Sequence, residues 1–322
     1  MNARLTRRSF AALLAAGAAN FSGAQPTAKP IRIVLGFAPG GGADNMMRVL
    51  AQQMAVNLKQ PVVIDNRPGA DGILAADNVA RSAPDGTSLL FGSNGPLVAL
   101  PILRDKSTVS YDPFKDLSPI GLMGRFTIVM IVAPQVPAKT IAEFIALAKS
   151  KPQGLNYASA NTVARMAAIQ LMQQTQTNME HIRYKGDSAA LVDLMAGRVE
   201  MMFSTAAAAQ QFVKDGKVRA LMVLGDRRSP LLPDVPTAKE AGLHITVSPW
   251  AGLYGPANIP QATVNRLNSA MRDALASKEV LEQMQRLGFD PTASSPAEMV
   301  AIQRAEYDLF YKAVHVDGIQ LD

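Results

Sequence analysis

Apolar and polar positions fall into a repeating order along most of this chain: a short apolar run, a loop rich in Gly and Ser, then a helical period. Ile31–Leu35 reads as a buried strand. It runs into Gly36-Phe37-Ala38-Pro39-Gly40-Gly41-Gly42-Ala43-Asp44, after which Met46, Leu50, Met54 and Leu58 recur at the i, i+4 spacing of a helix packed on one side. Residues 62–65 predict a second strand, and Asn66-Arg67-Pro68-Gly69-Ala70-Asp71-Gly72 opens a second helix toward Arg81. Pro84-Asp85-Gly86 is a turn, and a third strand at 88–91 ends in Gly92-Ser93-Asn94-Gly95.

The alternation then restarts. Residues 127–133 read as a strand, and Thr140 with Glu143 forms the capping pair of a helix ending near Ser150. Strands follow at 155–157, 182–184, 199–203 and 218–225, with helices at 163–174, 188–196 and 205–215. Thr237 and Glu240 predict another short helix after a Pro-rich turn, and 246–254 is extended. Helices at 260–277, 278–287 and 296–315 close the chain, the last marked by Ser295, Pro296 and Glu298.

Repeated strand–loop–helix units imply an α/β fold, each sheet mixed but mainly parallel and flanked by helices. Extended tracts at 117–133 and 244–254 bracket the second unit, so the chain is expected to cross twice between two domains. Residues 25–124 with 246–322 form domain I, and 125–245 form domain II. Small ligands bind in the cleft between such domains, outside the strand C-termini.

Residues 1–24 read as an export signal. Arg4, Arg7 and Arg8 precede a ten-residue apolar run at 10–19, about half of the roughly 20 residues that a membrane span needs. Ser22 and Ala24 suit signal-peptidase cleavage before Gln25, which implies a periplasmic location. Thr6-Arg7-Arg8-Ser9-Phe10 matches the twin-arginine pattern, with a Sec signal carrying two chance arginines as the alternative.

Of 322 residues, 48% are hydrophobic and 18% charged, which is a globular composition. No cysteine is present, which removes disulfides, thiolate chemistry, Cys-ligated metals and a lipoprotein anchor. The net charge of +6 halves to +3 once Arg4, Arg7 and Arg8 are removed with the signal. Arg227-Arg228 is an isolated pair, and no basic stripe interleaved with aromatics exists, so nucleic-acid binding is disfavoured.

Glycines in Gly40-Gly41-Gly42-Ala43-Asp44 leave backbone amides uncovered at a helix start, a setting that favours an anion. The alternative is a tight turn with Asp44 as N-cap. No Gly-x-Gly-x-x-Gly register and no Gly-Lys-Ser/Thr follows, so dinucleotide and P-loop readings fail, and no cofactor or metal is implied. His181, His244 and His315 are isolated in sequence, without metal-ligand spacing or a neighbouring nucleophile. The 16 methionines fall at core-like positions rather than in a copper site.

Pro39-Gly40-Gly41-Gly42-Ala43-Asp44, Asn66-Arg67-Pro68-Gly69-Ala70-Asp71-Gly72 and Pro84-Asp85-Gly86-Thr87 resemble the Bug-type periplasmic receptors of tripartite tricarboxylate transporters. So do Tyr184-Lys185-Gly186, Leu191 through Gly197, Met202-Phe203, Gly216 through Leu221, Arg228 through Thr237, and Trp250-Ala251-Gly252-Leu253. The match runs through the whole chain after the signal, in the same order. It implies a two-domain Venus-flytrap fold of the periplasmic-binding-protein kind, with two crossover strands and no catalysis. Such a receptor, expected as a monomer, delivers a small organic carboxylate to a large and a small membrane subunit.

Carried over by position, the resemblance implies ligand contacts from Phe37, Pro39, Gly40, Gly41 and Asp44, with Gly69, Ala70, Gly72, Ser93 and Asn94 on the same wall. From domain II come Ser159, Ala160, Asn161, Lys185, Gly186, Phe203 and Ser204. The loop after Ser159 is shorter than the family's usual Gly-containing one, which opens a role for Arg165 as a direct carboxylate partner. The alternative is an Arg165 pointing to solvent. Arg183 and Asp187 are further departures, Asp187 being readable as the cap of a helix starting at Ser188. A periplasmic sensor docking on a signalling receptor would use the same cleft, and an enzyme is disfavoured for want of a nucleophile–base–orienter set.

Overall fold

The computed structural model describes residues 29–151, 154–184, 186–225, 227–245, 247 and 249–316. The expected export signal and Lys185 lie outside the described residues.

Side-chain alternation in β1 (Ile31–Leu35) sends Ile31, Ile33 and Leu35 to one apolar cluster and Val34 to another, so both faces of this strand are covered. Helix α1 (Gly42–Leu58) lays Met46, Met47, Leu50 and Met54 onto the first cluster. Strand β2 (Val62–Asn66) and helix α2 (Ile73–Ala80) complete the next unit, and β3 (Ser88–Ser93) the third. Gly95–Ala99 is a wide π-helical turn continued by α3 (Leu100–Leu103), where no element was expected.

Strand β4 (Leu117–Phe126) leads straight into β5 (Ile128–Val132) of a second sheet. That unit holds α4 (Ile141–Ser150), β6 (Leu155–Ser159), α5 (Thr162–Thr175) and β7 (Met179–Arg183). It continues through α6 (Asp187–Met195), β8 (Met201–Thr205), α7 (Ala206–Lys214) and β9 (Arg219–Val223). Thr237 and Glu240 do exchange the expected capping bonds, but they close a turn and not a helix. The chain returns in β10 (Trp250–Pro256), followed by α8 (Gln261–Ala276), α9 (Lys278–Arg286), β11 (Phe289–Pro291) and α10 (Pro296–His315).

The first sheet has six strands in the order β11-β4-β10-β3-β1-β2, and the second has five in the order β7-β6-β8-β5-β9. Pairs β1/β2, β1/β3, β6/β7 and β6/β8 are parallel, while β10 and β5 run against their neighbours. Most strands of each sheet therefore point one way, as expected of a mixed, mainly parallel arrangement. The two passages between sheets lie side by side: Phe126 N–H donates to Pro249 O at 2.8 Å, and Arg125 pairs with Trp250. Among the described residues no helix is long and apolar enough to cross a membrane.

Candidate functional site

Strands β1, β2, β3 and β6, β7, β8 all end at one cleft of about 930 Å³, walled by both sheets. One wall is largely backbone. Gly36 and Phe37 follow β1, Gly69, Ala70 and Asp71 follow β2, and Ser93 and Asn94 end β3. A Cβ on Gly36 would sit 2.6 Å from Gly72 Cα, so the two loops pack backbone against backbone. Residues 69–72 all have positive φ (132°, 46°, 52° and 93°), two of them without the freedom of glycine. Ala70 and Asp71 each hold about 1–2 kcal/mol of conformational strain. The strained turn lines the cleft.

Asp44 does not cap α1, whose N-cap is Gly41. Its buried carboxylate accepts from Gly40 N–H, Arg48 Nε and Asn66 Nδ2, each at 2.9 Å. The Arg48 bond in particular lowers its pKa to about 2. Asp44 thus shapes the glycine loop from behind, and it lies outside the cleft lining with Pro39, Gly40, Gly41 and Gly72.

The opposite wall carries Arg165, His181, Arg183 and Asp187. Register pairs Tyr157 with His181 and Ser159 with Arg183 across β6 and β7. Ser159 Oγ and His181 Nε2 are 2.7 Å apart. A hydroxyl therefore does lie beside a histidine, correcting the expectation that none would. Sequence missed it because the two residues meet only through parallel strand pairing. Burial, then the Arg165 and Arg183 charges, lower the His181 pKa to about 4. Flanking cations oppose an imidazolium, the form a general base must reach when it takes a proton. Neutral His181 instead fixes the Ser159 hydroxyl as a directed hydrogen-bonding group.

Arg165 does not point to solvent: it lines the cleft and hydrogen-bonds the Tyr157 side chain, which orients it. Asn161 caps α5, its Oδ1 accepting from Ala164 N–H at 2.9 Å. Ser204 Oγ is buried at the cleft and has no hydrogen-bond partner among the described residues. An unmet buried hydroxyl costs about 1–3 kcal/mol, which a polar ligand atom would offset.

Asn94 lines the cleft, but its amide is committed behind the wall. Asn94 Nδ2 donates to both Glu306 carboxylate oxygens at 2.6 Å, and Asn94 Oδ1 accepts from Trp250 N–H at 2.8 Å. Trp250 Nε1 also donates to Glu306 Oε2. Burial outweighs the hydrogen bonds from Trp250 and Asn94 and pushes the Glu306 pKa up to about 7. Helix α10 is thereby tied both to the cleft wall and to the point where the chain re-enters the first sheet.

Of the residues expected at the site, Phe37, Gly69, Ala70, Ser93, Asn94, Ser159, Ala160, Asn161, Arg165, Phe203 and Ser204 line this cleft. Gly186 caps α6 just outside it. Sequence reasoning did not place His181, Arg183, Asp187, Arg104 or Trp250 there. The i, i+2 spacing of His181 and Arg183 was the available signal, since it puts both on one face of a strand.

Comparison with known proteins gives the same arrangement a family. The profile of the tripartite tricarboxylate transporter family receptor (TctC) matches residues 46–307. Protein BugT of Bordetella pertussis is 32% identical over 297 residues, covering 91% of each chain. MatC from Rhodopseudomonas palustris with bound malate is 31% identical, with a TM-score of 0.69 over 89% of this chain and 99% of that one. A second R. palustris protein, with adipate, is 27% identical, with a TM-score of 0.74 over 91% and 98%. The chain belongs to the tripartite tricarboxylate transporter receptor family, the Bug-type periplasmic solute-binding proteins.

Proposed function

We propose that this protein captures a small organic carboxylate in the cleft between its two sheets and delivers it to the large and small membrane subunits of a tripartite transporter. The carrying observation is the pairing of unlike walls. Backbone from 36–37 and 69–71 faces a side-chain wall holding Arg165, Ser204 and the His181-directed Ser159 hydroxyl. Amides and hydroxyls can pair an acid group on one side while a guanidinium supplies charge on the other. Malate and adipate, carried by the two R. palustris relatives, set the size and chemistry expected of the ligand.

Residues 25–124 with 246–322 act as one lobe and 125–245 as the other, closing on the ligand because only the shut form lets both walls touch it. The protein binds without turning its ligand over: the Ser159–His181 pair has cationic neighbours, and with its proton on Nε2 neutral His181 donates to Ser159 Oγ and leaves the hydroxyl hydrogen for the ligand. It works as a periplasmic monomer, released by cleavage before Gln25 after twin-arginine export.

A thermal-shift screen of organic acids tests the reading. An acid at 100 times its Kd should add about 2.7 kcal/mol of stability. A rise in Tm with neutral or cationic solutes alone refutes the carboxylate assignment.

A further inference from the structure

A second cavity, of about 440 Å³, lies next to the cleft and shares Arg104 with it. It is formed by the segment 101–115 and by Arg304 and Tyr307 of α10. Its floor is apolar and braced. Val109, Tyr111 and Pro113 are buried, and Tyr111 Oη donates to Pro96 O of the wide turn at 2.6 Å. Phe114 meets Tyr307 edge to face, with ring centroids 5.2 Å apart. Around this floor stand four exposed cations, Arg104, Lys106, Lys115 and Arg304, against one acid, Asp112.

Asp112 is already committed. It accepts from Phe114 N–H at 2.9 Å and Lys115 N–H at 3.2 Å, and pairs with Lys115 Nζ at 3.4 Å. Asp105 lies outside the lining and accepts from Ser107 and Thr108 N–H. Elsewhere on the surface Arg81, Arg198 and Arg228 each hold a carboxylate. No ion pair engages Arg104, Lys106 or Arg304 among the described residues. Arg304 is nonetheless fixed in place, its guanidinium carbon 3.7 Å from the Phe114 ring centroid. Stacking sets the guanidinium plane and leaves its N–H edge to grip an oxyanion. Three uncompensated cations in one concavity focus a positive field, which a doubly charged oxyanion answers better than a single carboxylate. We propose that this pocket is a second binding site, for a phosphate group, free or as a monoester, gripped by Arg304 and Arg104 with Lys106 adding charge. It is separate from carboxylate capture and does not rest on it.

Arg304 and Lys106 are absent from the cleft lining, so variants there isolate the second pocket. Inorganic phosphate and glycerol 3-phosphate are titrated by calorimetry at constant ionic strength into the mature chain, Arg304→Ala, Lys106→Ala and Arg165→Ala. At least one probe should bind, ten-fold or more weaker in Arg304→Ala, three-fold or more weaker in Lys106→Ala, and equally well in Arg165→Ala. The tighter of the two probes tells a free phosphate site from a monoester site. Lys106→Ala, at an exposed side chain, carries the test if Arg304→Ala misfolds by circular dichroism. Binding by neither probe, or binding that both pocket variants leave unchanged, overturns the proposal. Binding lost in Arg165→Ala alone overturns it too, because the anion then sits in the cleft. Organic acids should bind Arg304→Ala and Lys106→Ala as they bind the wild type, so carboxylate capture is judged separately.

Discussion

Replacing Glu306 by Gln probes the carboxyl that ties α10 to the cleft wall. Its pKa is raised from 4.5 to about 7, so between those values the folded state keeps a proton that the unfolded chain has released. Stability then falls as pH rises, by about 1.4 kcal/mol per pH unit. The contribution is fully present below pH 4.5 and lost as pH climbs through about 7. His181 works in the opposite sense. Its pKa drops from 6.5 to about 4, so its contribution is present above pH 6.5 and lost as pH falls. Between pH 4.5 and 6.5 the two trends oppose each other, and the wild-type profile hides both. Glu306→Gln removes only the first. Urea unfolding of both proteins at pH 5, 6, 7 and 8 gives the difference directly, and its slope matters rather than its offset. Wild type should gain about 2.5 kcal/mol on the variant between pH 8 and pH 5. A difference that stays flat, or grows toward high pH, means Glu306 is ionised in the fold and refutes the burial argument.

Two further outcomes follow from the cleft walls. Arg165→Ala should weaken carboxylate binding about 10- to 100-fold by titration calorimetry, the worth of a charge-assisted hydrogen bond. Unchanged affinity removes Arg165 from the site. Ala70→Gly relieves a left-handed φ of 46° and should raise stability by up to about 1 kcal/mol in urea unfolding. A loss of stability there shows that the Ala70 methyl packs usefully and that the turn is not strained.

Locally encoded features could be read from the sequence. Helix α10 starts where Ser295 and Glu298 place it, because the two bonds that cap it join residues three apart. Thr237 and Glu240 make the same bonds yet close only a turn, since Gly242 follows at φ 75° and sends Leu243 N–H back to Ala238 O. The helical run from 95 to 103 escaped notice because Pro96 and Pro101 break an ordinary helical reading, and a wide π-turn absorbs the first. At the site, the loop at 69–71 announced part of the backbone wall, whereas Gly40 and Gly41, expected to contribute, lie outside the cleft lining. The Ser159–His181 contact needs the β6/β7 register, and the Asn94–Glu306 bond joins residues 212 apart. Such pairings leave no local periodicity to detect.

The most direct measurement is a crystal structure with whichever acid raises Tm most. The acid should lie in the 930 Å³ cleft, with one carboxylate on Arg165 and Ser204 and backbone contacts from residues 69–71 on the facing wall. An acid bound outside the cleft, or resting on one wall with the other untouched, contradicts capture between the two sheets.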